Sequence, residues 1–237
     1  MKLPRRGIAI AGTLVLVSVA GIGASYLLLF TPEAPPPVSL TNPEDRAHTA
    51  ARFPESDPTG LWVVKEGSEA GYRVREKLAR LPAPSQAVGR TGKVTGGFTV
   101  SGENGNYTLA NIGVEVDMAS LESDSPRRDE ALRERGLETG RFPTARFRSP
   151  GPMELPDGLT AGEPVDFLLD GALTIHGVTR QVSIPVRAQL STGTLEVVGT
   201  LIMHMADFGI EAPSVANIVS VEPTGTMEFN LLLEKAA

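Results

Sequence analysis

Three histidines, His48, His176 and His204, are the side chains of this 237-residue chain with the widest chemical reach, because it has no cysteine. An imidazole can serve as a general base or hold a divalent metal. Their placement argues against both uses. His48 lies in a proline-rich stretch, His176 falls between two apolar runs, and His204 alternates with Met203 and Met205 as an outward strand residue. No histidine pair has the spacing of a helical metal site, and no serine stands in a Gly-x-Ser-x-Gly elbow. Thr95-Gly96-Gly97-Phe98 has no helix after it to cradle a phosphate, and Asp207-Phe208-Gly209 lacks the companion motifs of a kinase. Glu115 and Asp117 alternate outward as a solvated row. A net charge of −6 offers no basic face to nucleic acid. The expectation is a non-catalytic protein without metal or cofactor.

The elements that would position a site are strands. Val165, Phe167, Leu169, Leu173 and Ile175 alternate before His176-Gly177, and Val182, Ile184, Val186, Ala188 and Leu190 alternate after it. If His176-Gly177 is a two-residue turn, Leu169 pairs with Ile184 and Phe167 with Val186, which puts both apolar sets on one face. Further strands are expected over 61–66, 72–77, 93–101, 107–118 and 145–149, then through Leu195 to Met205 and Met227 to Leu233. About eight or nine antiparallel strands with one apolar face argue for a barrel or sandwich. Ser125-Pro126 through Arg135, ending at Gly136, reads as a short surface helix with Ser125 as N-cap and Leu132 as its apolar anchor. The inward positions are mostly medium or small, with Gly171 and Gly199 among them, which favours an unfilled interior.

The N-terminal part differs. Residues 1–6 are basic, and the uncharged run Gly7–Phe30 is long enough to span a bilayer as a helix. It ends in Tyr26-Leu27-Leu28-Leu29-Phe30, a poor site for signal cleavage, so an uncleaved anchor with a cytoplasmic N-terminus is expected. Residues 31–60 are rich in proline and read as an extended extracytoplasmic tether, and 61–237 as one β domain.

Several segments, in this order, resemble the YceI-like family of exported, lipocalin-like proteins often described as polyisoprenoid-binding. They are Ser68 to Val74, Val94 to Phe98, Arg128-Asp129, Phe142-Pro143, Phe147 with Ser149, Leu173 to Thr179, and Asp207 to Ile210. Val88-Gly89-Arg90-Thr91 with Ser123-Asp124 is similar to a membrane-anchored, actinobacterial-type branch. The resemblance implies an all-β, eight-stranded antiparallel lipocalin-like barrel with a helical insertion near its rim. It also implies an apolar cavity for a long-chain amphiphile such as an isoprenoid or fatty-acid-type lipid, held without catalysis. The expected wall is Val114, Val116, Phe147, Phe167, Leu169, Leu173, Ile184, Val186, Leu201 and Met203. Arg127, Arg128 and Arg141 are the expected rim contacts for a head group, where arginine can pair with phosphate. Relatives often carry histidines where this chain has Glu76 and Ala131. The alternative is an envelope interaction or structural domain with a filled barrel and no ligand.

Overall fold

Period-2 alternation folds here as an antiparallel meander that closes on itself. The computed structural model describes residues 34–41, 57–78, 84–104, 106–159, 163–191, 193–215 and 219–236. Several strands run in two stretches that stay beside the same neighbouring strand across a break, with a shift of register there. Strand β1 comprises Gly60–Val64 and Glu69–Leu78, and β2 comprises Ser85–Thr91 and Val94–Glu103. Strand β3 comprises Asn106–Asp117 and Glu122–Ser123, and β4 comprises Thr144–Arg148 and Met153–Glu154. Strands β5 (Val165–Ile175), β6 (Val178–Ser191), β7 (Thr194–His204) and β8 (Val219–Lys235) follow. Each pairs with the next, and β8 returns to β1 through Trp62↔Lys235 and Ala70↔Phe229. The sheet closes on itself through these pairs, as a barrel does.

The break in β1 is sealed by Ser68, which is 1% exposed. Its Oγ donates to the Lys65 carbonyl at 2.9 Å and accepts from the Leu232 N–H at 2.9 Å. The β5–β6 hairpin has the expected register: Val178 faces Ile175, Ile184 faces Leu169 and Val186 faces Phe167. His176 and Gly177 hold φ of 52° and 72°, the left-handed pair that a two-residue turn of matching twist demands. The first stretch of β2 was not expected from the sequence. Its inward positions are Ala87 and Gly89, too small to show an apolar period.

Helix α1 spans Pro126–Glu134. Ser125 caps it by accepting from the Arg128 N–H, proline opens its first turn, and Gly136 follows it at φ 72°. The run Gly7–Phe30 lies outside the described residues. Among the described residues no helix is long and apolar enough to cross a membrane.

Candidate functional site: an apolar cavity closed by a charged pair

The barrel is not filled. It encloses a cavity of about 650 Å³, within the range of small-molecule sites. Two inward glycines keep it open. A Cβ on Gly171 would lie 2.3 Å from the Phe147 ring, and one on Gly199 would lie 2.4 Å from the Phe229 ring. Each ring therefore takes the space that a side chain there would fill. Tyr72 lies against Gly89 in the same way, with 2.4 Å to a Cβ there.

Eight of the ten expected wall residues border the cavity: Val114, Val116, Phe147, Phe167, Leu169, Leu173, Ile184 and Met203. Two do not. Val186 is buried beside the Phe229 ring over Gly199, whose Cβ would meet both. Leu201 packs against the core without bordering the space. The sequence reading missed Tyr72, Met205 and Ile210, which also line it. Tyr72 was legible, since it alternates with Val74 and Glu76 on one strand face.

Helix α1 lies at one end of the cavity, where Arg127, Arg128, Ala131 and Leu132 line it together with Glu76 of β1. Arg128 donates to Glu76 Oε1 at 2.7 Å and to Ser123 Oγ at 3.1 Å, and also pairs with Asp124. Glu76 is 7% exposed. Burial works against the Arg128 charge, but the hydrogen bonds to Glu76 and Asp124 outweigh it and hold the guanidinium above its ordinary pKa. Asp129 accepts from the N–H and Oγ of Ser123 at 3.1 and 2.6 Å. Two carboxylates thus pair with Arg128, and a third, Asp129, holds the Ser123 that Arg128 also contacts. The Tyr72 hydroxyl is buried here without a hydrogen-bond partner. Burial pushes its pKa well up, with Arg128 acting the other way, so the phenol stays protonated.

Arg127 is exposed at the start of the helix. Arg141 does not border the cavity. It sits 4.9 Å above the Phe142 ring and 3.7 Å from Glu138, drawn there by the turn after the helix. Glu115 is not merely solvated, since Arg146 and Arg148 pair with it at 3.0 and 3.5 Å. His204 is exposed on β7, and among the described residues no group of side chains could hold a metal ion.

Residues 62–233 match the model of the YceI-like domain. The chain belongs to the YceI-like family. A UPF0312 protein of Vibrio vulnificus (strain YJ016) is 30% identical over 141 residues, covering 56% of this chain and 70% of that protein. A UPF0312 protein of Shewanella sp. (strain MR-4) is 29% identical over 166 residues, covering 66% and 81%. Among solved structures, a polyisoprenoid binding domain from Saccharophagus degradans, implicated in plant cell wall breakdown, superposes with a TM-score of 0.56 at 20% identity. That match covers 74% of this chain and 98% of that one. It shows the shared fold.

Three of the YceI-like segments meet at His176. The Phe142 ring meets it edge-on at 4.4 Å, and the His176 Nδ1 lies 3.3 Å from the Phe208 carbonyl. Glu138 Oε1 is 3.5 Å from its Nε2. Phe142-Pro143, Asp207 to Ile210 and the hairpin therefore lock one end of the barrel together. His176 does more than turn the chain: it ties two loops to the hairpin.

Proposed function

We propose that this YceI-like barrel holds a long-chain amphiphile noncovalently, its tail in the cavity and its head at the α1 end. The observation that carries this is the cavity of about 650 Å³ under walls of aliphatic and aromatic side chains. Removing an isoprenoid or acyl tail from water contributes about 25 cal/mol per Å² of apolar surface. The polyisoprenoid binding domain of the same fold supports an isoprenoid as the first ligand to test. The reading is of noncovalent binding rather than catalysis.

The head group meets Arg127, Arg128, Glu76 and Tyr72. Arg128 is already engaged by two carboxylates, and Tyr72 has an unused hydroxyl. That combination suits an uncharged head able to hydrogen-bond, such as a quinone, alcohol or amide, better than a phosphate. The basic start and the long uncharged run Gly7–Phe30 support a membrane anchor, with the barrel on the outer side of the cytoplasmic membrane. Displacement of a fluorescent apolar probe by isoprenoid quinone, polyprenyl alcohol, polyprenyl phosphate and fatty amide tests the binding reading. Displacement by at least one is expected; displacement by none defeats it.

A further inference from the structure

Glu196 of β7 and Glu228 of β8 alternate with residues that face the interior, among them Leu195, Val197, Phe229 and Leu231. Both carboxylates therefore point to the outside of the barrel, where acidic groups are ordinarily solvated. Yet Glu196 is 0% and Glu228 1% exposed. Part of what covers them is Pro35–Thr41, within the segment that the sequence presents as tether.

The contacts are specific. Arg73 donates to the Pro35 carbonyl at 2.8 Å, and Arg90 to the Pro36 carbonyl at 2.7 Å. The same two guanidiniums hold Glu228, Arg73 at 3.3 Å and Arg90 at 2.9 Å. At the other end Thr41 donates to Glu196 through its N–H at 3.1 Å and its Oγ1 at 2.9 Å, and Asn230 donates at 2.9 Å. Between these points Val38 borders a hollow with Leu168, Pro185 and Val198. A run of prolines has carbonyls but no amide donors, so its acceptors must be met from outside, and fixed arginine forks do so.

We infer that Pro35–Thr41 is a clasp, a segment of the tether docked in an arginine–glutamate groove on the outer wall of its own barrel. Only about fifteen residues, 42–56, separate Thr41 from Asp57. A connection that short holds the segment near its groove at roughly millimolar effective concentration, so its own barrel outcompetes a second copy.

The test is hydrogen exchange on the full chain in lipid nanodiscs, comparing wild type with Val38→Asp/Thr41→Ala, which leaves the barrel residues untouched. A protected Thr41 amide in wild type, exchanging about tenfold faster or more in the variant while strand amides are unchanged, is the expected result. An unprotected Thr41 amide in wild type, or equal protection in the variant, would overturn the clasp. Flotation with liposomes reads the anchor separately. A chain that fails to float but keeps protection at Thr41 retains the clasp and loses the anchor.

Discussion

Glu76 and Arg128 meet at 2.7 Å although 52 residues separate them in sequence, one on the inner face of β1 and the other in the first turn of α1. The pair fixes the helix over the cavity and cancels the positive charge that an anionic head would seek. Breaking such a buried pair leaves the other charge uncompensated, so the two residues act together.

Charge at this end sets the first prediction. Glu76, Asp124 and Asp129 outnumber Arg127 and Arg128, so a polyprenyl alcohol or quinone should bind more tightly than a phosphate on the same tail. Glu76→Gln keeps the hydrogen bond to Arg128 but removes one negative charge. It should raise phosphate affinity relative to the alcohol by roughly tenfold. Calorimetric titration of both ligands with both proteins measures this; equal ratios in the two proteins would contradict it.

Tyr72 gives a second. Its hydroxyl is buried and unpartnered, an arrangement that costs about 1–3 kcal/mol. Tyr72→Phe should raise the Tm of the ligand-free protein and weaken a ligand whose head accepts from that hydroxyl. The pH dependence has a defined sign. The folded phenol is raised above its ordinary pKa, so the unfolded chain loses this proton first as pH climbs. The contribution is intact below about pH 10 and declines above it by up to about 1.4 kcal/mol per pH unit. Urea melts of wild type and Tyr72→Phe above and below that pH should diverge on the alkaline side; parallel curves would refute the burial account.

Gly199 tests why the barrel is open. An alanine there would displace the Phe229 ring, whose Cζ lies 2.4 Å from the new Cβ. Gly199→Ala should cost about 1–3 kcal/mol by overpacking and reduce ligand capacity as the ring swings inward. Thermal melts and probe titration read the two effects. Unchanged capacity with lowered stability would contradict the reading that this ring borders the ligand's space.

His176 provides a fourth. At φ 52° a β-branched residue is strained, while asparagine is tolerated. His176→Val should lower stability by about 1–3 kcal/mol, and more than His176→Asn. Chemical denaturation ranks the two. The gap between His176→Asn and wild type reads what the contacts to Phe208 and Phe142 add.

The hairpin was legible because a two-residue turn fixes register and a slip of one would expose every apolar side chain of β5 and β6. Helix α1 was legible from Ser125, Pro126 and Gly136 because caps are local. Four things were not. The first stretch of β2 hides because Ala87 and Gly89 carry no apolar period. The Glu76–Arg128 pair and the loops around His176 are contacts between distant segments, and alternation says which way a residue points but not what it meets. The docking of Pro35–Thr41 hides because proline-rich composition looks alike whether a segment is solvated or pinned by arginines. Val186 and Leu201 were assigned to the wall from strand parity, which identifies an inward face but not which inward side chains border the open space; Val186 sits beside the Phe229 ring instead.

The central claim is that the cavity takes up a lipid tail. Native mass spectrometry of the full chain, stripped of lipid and then incubated with a polyprenyl alcohol, tests it most directly when wild type and Gly199→Ala are compared. Wild type should give a one-to-one adduct that is diminished in Gly199→Ala. Absence of an adduct with wild type, or an equal adduct in both, would contradict it.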